Sequence, residues 1–260
     1  MLHKTRSAVV AVLAAGALSL TACGGGSDAD ESGLSLVNEG SLTVCSNVPF
    51  EPFEYVVDGE YTGFDMELTR EIATGMGLEH EVQNVGFDGL QSGTVLAARQ
   101  CDMIAAAMTV TDERADKLAF SDPYYDSLQS LLVKADSGIS SLDDLDGKKV
   151  GVQQGTTGES YARDNAPEGA EVMSFQTDAE LFQSLQAGGI EAVLQDLPVN
   201  QDHTDDGKFS IAATFETGEV YAFAMKKSGS EELAAQVNEQ LGKLRENGKY
   251  QELYDKYFTE

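Results

Sequence analysis

The sequence predicts an α/β protein built from two similar halves. Three observations carry that expectation. Strand-like stretches alternate with helix-like ones, which argues for a mostly parallel sheet with helices on its faces. The alternation restarts near the middle of the chain, and no short-period repeat accounts for it. At 260 residues and 42% hydrophobic content, the chain is long enough for two modest domains and apolar enough to build their cores.

The chain opens "MLHKTRSAVVAVLAAGALSLTACGGGSDADES". Lys4 and Arg6 form a basic start, and residues 7–20 make an apolar run too short to span a bilayer comfortably but suited to an export signal. "LTAC" resembles the lipobox of bacterial lipoproteins, which predicts removal of residues 1–22 and a lipid on Cys23. Residues 23–38 read as a flexible tether, because Gly, Ser and Asp dominate there. One acyl chain holds a protein weakly and two anchor it firmly, so the expected location is the extracytoplasmic face of the cell membrane.

"SLTVCSN" is a short strand, and "FDMELTREIATGMG" spaces Leu68, Ile72 and Met76 as one helix face, with Asp65 near its start and Gly75 and Gly77 at its end. "EHEVQNV" alternates as a strand does. "DGLQSGTVLAARQ" is a poorer helix, and the continuous apolar run "CDMIAAAM" a buried strand. In the second half "SLQSLLVKA" is a strand. "SLDDLDGKKVGVQQG" gives a helical turn, a break and a strand, and "TTGESYARDN" a helix. "DAELFQSLQAGGIEAVLQD" reads as a helix from Asp178 stopped by Gly188 and Gly189, then a strand. A C-terminal helical pair follows, with Leu233, Val237, Leu241 and Leu244 on one face and Gly248 between the two helices.

The net charge of -27 falls to about -29 once Lys4 and Arg6 leave with the signal, and no basic stripe interrupts it. Nucleic-acid binding is thereby set aside. Export leaves Cys45 and Cys101 as the only other cysteines, and in an oxidising compartment one leftover pair favours a disulfide over two free thiols. No His/Cys cluster has metal-ligand spacing, and no metal or cofactor is expected.

The stretch "MTVTDERADKLAFSDPYY" raises the first functional question. Thr111 is placed to cap a helix, with Asp112 and Glu113 in its first turn and Arg114 at the third position, just past a strand end. Ligands of open α/β sheets bind there, and a guanidinium is the natural clamp for a carboxylate. Pairing of Arg114 with Asp112, Glu113 or Asp116 on a solvated helix is the competing reading, and this stretch alone does not separate the two. In "GVQQGTTGES" Thr156 and Glu159 are spaced as a capping box, whose free N–H groups attract an anion or simply cap a helix. "VLQDLP" leaves Asp196 at a strand end, able to receive an ammonium or to cap a turn.

The segments "TVCSNVPFEPFEY", "YTGFDMELTREIA", "GFDGL", "MTVTDERADKLAFSDPYY", "SLDDLDGKKVGVQQGTTGE" and "VLQDLP" stand in the order seen in the polar amino-acid solute-binding proteins of ABC transporters. The chain resembles that family over roughly residues 40–258. The resemblance implies a periplasmic-binding-protein-like fold of type II, two α/β lobes joined by a two-strand hinge that closes on ligand. Residues 39–125 plus 224–260 would form the first lobe and 126–223 the second. It also implies that Arg114 grips the α-carboxylate, helped by Thr109 and the Thr156–Thr157 turn, while Asp196 and the Ala107 carbonyl take the α-ammonium. Phe50 and Phe87 would sandwich the side chain, although Phe87 also reads as a plain core aromatic. Ala107 replaces a glycine or serine often found there, at little cost if backbone atoms do the binding.

A buried zwitterion demands one cationic and one anionic clamp, and Arg114 and Asp196 come from different halves of the chain. Asn47 stands where cation-binding relatives often carry aspartate, and Gln153 where the residue varies with ligand. Two neutral amides favour a neutral polar L-amino acid such as glutamine, with a basic amino acid second. The expected protein is a monomer that delivers its ligand to an ABC permease. The rivals are a dehydratase on the same fold, which needs a general acid or base in the cleft, and a lipoprotein that reports ligand to a receptor. A G-x-S-x-G elbow and a P-loop are both missing from the sequence.

Overall fold

The computed structural model describes residues 34–259. The expected signal peptide, Cys23 and the tether through residue 33 lie outside the described residues. The chain runs β1 (Ser41–Ser46), the hairpin β2 (Tyr55–Val57) and β3 (Glu60–Thr62), α1 (Phe64–Gly75), β4 (Glu79–Asn84), α2 (Phe87–Gln91) and α3 (Thr94–Ala97). β5 (Met103–Ile104), α4 (Asp112–Ala115) and β6 (Leu118–Phe120) complete the first passage. Next come β7 (Tyr125–Lys134), β8 (Lys149–Gln153), α5 (Thr157–Asn165), β9 (Glu171–Phe175), α6 (Asp178–Ala187), β10 (Ala192–Asp196), α7 (Leu197–Asp202) and β11 (Phe209–Tyr221). β12 (Ala224–Lys226), α8 (Glu231–Glu246) and α9 (Lys249–Phe258) close the chain.

These elements form a two-lobe, periplasmic-binding-protein-like fold. One five-stranded sheet has the order β4-β1-β5-β12-β6 and the other β11-β7-β10-β8-β9. Both are mixed, where the pattern alone suggested mostly parallel sheets. β12 runs antiparallel to β5 and β6, and β7 antiparallel to β10 and β11, because the chain leaves the first sheet after β6 and returns to it only at β12. The two crossings are zipped together. Ser121 N–H donates to the Phe223 carbonyl at 2.9 Å and Tyr124 N–H to the Tyr221 carbonyl at 2.8 Å, while Val220 pairs with Asp126. Behind the crossing, Tyr125 stacks on Tyr221 at 5.5 Å and meets Phe258 of α9 at 4.7 Å, so the C-terminal helix is packed against the hinge.

Most sequence-read elements appear where the periodicity puts them, since long amphipathic faces need only a core to pack against. Leu233, Val237, Leu241 and Leu244 are buried on one face of α8, and Leu68 and Ile72 on α1. Three readings differ. The expected helix over "DGLQSGTVLAARQ" is broken into α2 and α3 by Gly93, whose φ of 73° is left-handed and where a Cβ would come within 2.9 Å of Leu118. The expected strand "CDMIAAAM" pairs only at Met103–Ile104, and the chain turns away at Ala107, φ 44°. A third lies at the first described residues: Leu34 is buried and Val37 N–H donates to Asp102 Oδ1 at 2.7 Å, so residues 34–37 pack on the first sheet. Cys45 and Cys101 are joined in a disulfide with Cα atoms 5.7 Å apart, linking β1 to the segment leading into β5. Among the described residues no helix is long and apolar enough to cross a membrane.

Candidate functional site

Arg114 enters the site because Thr111 caps α4. The Thr111 hydroxyl accepts the Arg114 N–H at 3.2 Å, which ends the turn with the side chain directed inward, and the residue is 5% exposed. Its Nη1 donates to the Thr109 carbonyl at 2.8 Å and its Nη2 to the Gly155 carbonyl at 3.1 Å, and the guanidinium lies 5.3 Å from the Phe87 ring centre. The solvated-helix reading of this arginine fails. Glu113 pairs with Lys117 at 2.8 Å, and Arg114 has no ion pair within its own helix. Burial pulls its pKa down while Asp196 and Glu219 pull it up.

The second sheet supplies the opposing wall. Gly155, φ 77°, makes the turn between β8 and α5, and a Cβ there would meet Gln91 Nε2 of the first lobe at 3.2 Å. Thr156 caps α5 by accepting the Glu159 N–H at 3.2 Å. The expected capping box is altered, since the Glu159 carboxylate accepts from Gly155 N–H at 2.7 Å rather than from the cap residue. At the end of β10, Asp196 is 8% exposed and accepts from Tyr221 Oη at 2.6 Å and from Gln129 Nε2. Burial first, and the Glu219 charge second, push its pKa up to about 7 against the pull of Tyr221, Gln129 and Arg114.

Between these walls lies the hinge strand. The Glu219 carboxylate on β11 accepts from Thr109 Oγ1 at 3.1 Å, Thr157 Oγ1 at 3.1 Å and Gln129 Nε2 at 3.0 Å, so one carboxylate gathers donors from both lobes and the crossing strands. Toward the other end Asn47, just past β1, donates to the Val85 carbonyl at 3.0 Å and accepts from Gln153 Nε2 at 2.8 Å, a bond that spans the lobes. Ala107 N–H donates to Asp65 Oδ2 at 2.9 Å, and the same oxygen takes the Tyr124 hydroxyl at 2.7 Å. Burial pushes Asp65 up to about 7 despite both bonds.

All ten residues named from the sequence line one cavity: Asn47, Phe50, Phe87, Ala107, Thr109, Arg114, Gln153, Thr156, Thr157 and Asp196. Glu54 and Ala106 complete the lining. Sequence reasoning missed those two, and also Gln129, Glu219 and Tyr221 behind them. Glu54 and Ala106 sat inside quoted motifs with nothing to mark their direction. Glu219 and Tyr221 lie on a strand that no periodicity announced. Neither histidine of the described residues reaches the cavity: His80 bonds Thr69 Oγ1 at 2.9 Å and His203 bonds Asp178 at 3.1 Å. No metal-ligating group of three or more His, Cys, Asp or Glu exists among the described residues.

The family model of bacterial extracellular solute-binding proteins, family 3, matches residues 42–260. The chain belongs to that family. This family 3 solute-binding protein is 33% identical over 252 residues to an arginine-binding extracellular protein of Bacillus subtilis, covering 93% of each chain. To an ABC transporter glutamine-binding protein of the same organism it is 36% identical, over 78% of this chain and 74% of the relative. Among solved structures, a mutant ArgBP from T. maritima superposes with a TM-score of 0.79 at 34% identity, covering 85% of this chain and 96% of the other. An ancestral arginine-binding protein bound to glutamine gives 0.78 at 36% identity, covering 86% and 100%. These relatives are named for binding. The family 3 protein described here is likewise a solute-binding protein of the extracytoplasmic space and not an enzyme.

Proposed function

We propose that the protein captures an L-amino acid between its lobes and hands it to the permease of an ABC importer, acting as a monomer held to the outer face of the cell membrane by lipid on Cys23. The carrying observation is the cavity itself: a buried arginine on α4 and a buried aspartate at the end of β10 line one space with two aromatic rings and a pair of amides. In this reading Arg114, Thr109 and the Thr156–Thr157 turn hold the α-carboxylate, and Asp196 with the Ala107 carbonyl holds the α-ammonium. Phe50 and Phe87 cover the side chain. Residues 39–125 with 224–260 move as one lobe and 126–223 as the other. Each lobe alone carries one buried charge without its partner, so a zwitterion favours the closed state by bridging them.

The preferred ligand has a neutral polar side chain such as glutamine, because Asn47 and Gln153 present amides and no charge at that end. A basic amino acid is the second reading. It is favoured by the surplus of carboxylates, Glu54, Asp196 and Glu219, over the single cation Arg114 around the cavity. The names of the relatives, which include arginine-, cystine- and glutamine-binding proteins, support both readings. A thermal-shift screen over the twenty amino acids decides between them. Stabilisation by glutamine or another neutral polar residue is the expected result; tight binding of arginine or lysine with none of glutamine installs the second reading, and no response to any amino acid ends the proposal. Mass spectrometry of the membrane fraction tests the lipid, by finding or failing to find Cys23 acylated as the mature N-terminus.

A further inference from the structure

Phe50 lines the ligand cavity, whereas the next residue, Glu51, lines a second groove between the lobes. Pro49 and Glu51, on the loop after β1, form one bank of that groove. Asp178 and Phe182 of α6, with Asp202 and His203 at the end of α7, form the other. His203 is held on two sides. Its ring stacks on Phe182 with centres 3.7 Å apart, and its Nε2 lies 3.2 and 3.1 Å from the two Asp178 oxygens. A carboxylate only accepts, so Nε2 carries a proton. Asp178 is fixed from behind by Gln195 Nε2, which donates at 2.7 Å from the residue next to Asp196. The charged groups that face Glu51 are Asp202, His203 and Asp178, with the Tyr55 phenol of β2 beside it. Those that face His203 are Asp178, Asp202 and Glu51, and Asp205 in the turn after α7 faces Asp202. Among the charged groups around Glu51, His203 alone can be positive.

With a neutral imidazole, closing the lobes sets Glu51 against two carboxylates of the other bank, which opposes closure. With an imidazolium, the same approach adds an attraction between Glu51 and His203. We propose that Glu51 and His203 form a pH-sensitive contact between the lobes, outside the ligand cavity, that favours closure as pH falls. The inference rests on the hinged reading of the two lobes and adds a regulation to it. Opening leaves His203 the two acids of its own bank and takes away only Glu51, so the closed state holds the His203 proton more tightly. Burial opposes the charge on His203, but Asp178, Asp202 and Glu51 outweigh it and raise the pKa above the ordinary 6.5. The contribution to closure is full below the open-state pKa and is lost as pH rises through the closed-state pKa. Burial and Asp202 raise Glu51 as well, so any proton that it gains on closure adds to the same trend.

A double-mutant cycle tests this, with Glu51→Gln, His203→Gln and both together. Affinity is measured by calorimetry from about pH 6 to about pH 8, with L-glutamine or, if that is the one that binds, L-arginine. The ratio of wild-type to Glu51→Gln affinity is expected to rise about threefold from the upper pH to the lower, and to stay constant in the His203→Gln background. Titration of Asp196 is common to all four proteins and cancels in that ratio. A wild-type ratio that does not move with pH overturns the contact and leaves the amino-acid reading intact. If His203→Gln fails to fold, Glu51→Gln alone carries the result. A wild type that binds no amino acid ends the proposed function, and NMR titration of the His203 ring then decides the contact. A pKa lower in Glu51→Gln than in the wild type supports it, and an unchanged one overturns it. His80, pushed down to about 4 by burial, does not titrate in that range.

Discussion

At one end of the cavity stand Arg114 and Asp196, both buried, with Glu219 behind them; at the other, Asn47 and Gln153 face each other as neutral amides 2.8 Å apart. Both ends join the lobes, but by different physics. Each charged group has fixed protein partners, Arg114 two backbone carbonyls and Asp196 a phenol and an amide, which orient it toward the cavity. The amides satisfy one another and can be exchanged with little electrostatic consequence. In the proposed function the charged end recognises what all amino acids share, and the amide end distinguishes among them.

That division breaks most directly at the clamps. In the proposed function Arg114→Ala and Asp196→Ala each remove the protein's half of a buried charge pair with the ligand, which at protein interfaces costs about 2–5 kcal/mol. Calorimetry on folded variants is expected to show affinity for every amino acid falling by ~30-fold or more, and circular dichroism an unchanged fold. A variant that lost one ligand and kept another would place specificity at the wrong end. A smaller effect is expected at the amides. In the proposed function Asn47→Asp sets a carboxylate where the side chain of the ligand ends, and a hydrogen bond to a charged group contributes about 1.5–3 kcal/mol. Relative affinity should shift toward arginine or lysine by ~10-fold or more in competition titrations, at some cost in stability from the lost bond to the Val85 carbonyl.

A separate effect is on stability rather than on affinity. Asp65 and Asp196 are raised from 3.8 to about 7, so the folded state holds protons that the unfolded chain releases. Their contribution to stability is greatest below about pH 4 and is lost as pH rises through 7. The thermal midpoint should fall between pH 5 and pH 8, and Asp196→Asn should flatten that fall. A midpoint that the variant leaves equally steep would move the pH dependence away from the charged end. Reduction of the Cys45–Cys101 disulfide sharpens the comparison from outside, because it spans 56 residues and ties down the strand that leads to Asn47. Loss of about 2–4 kcal/mol of stability is expected, with ligand preference unchanged.

Legibility followed the range of the interactions. Thr111 and Thr156 were readable as caps because a cap and its N–H partner lie within three residues of each other. The α1 and α8 faces were readable because one helical period repeats over several turns. β11 was not, since most of its residues are only part-buried and its whole ladder is with β7, far earlier in the chain. The helix expected after Gly86 broke at Gly93 because a side chain of β6, far along the chain, occupies the space beside it.

The sequence by itself determined the alternation of strands and helices, the export signature, the acidic surface and the identity of ten residues around the cavity, since these depend on local pattern or on motifs in a fixed order. The tertiary structure decided which way Arg114 points, that Glu219 gathers donors from both lobes, and that Glu54 Oε2 is buried with no hydrogen-bond partner among the described residues. Those facts belong to side chains brought together from positions tens to more than a hundred residues apart, and a burial penalty or a missing hydrogen bond exists only once the folded chain has excluded water from them.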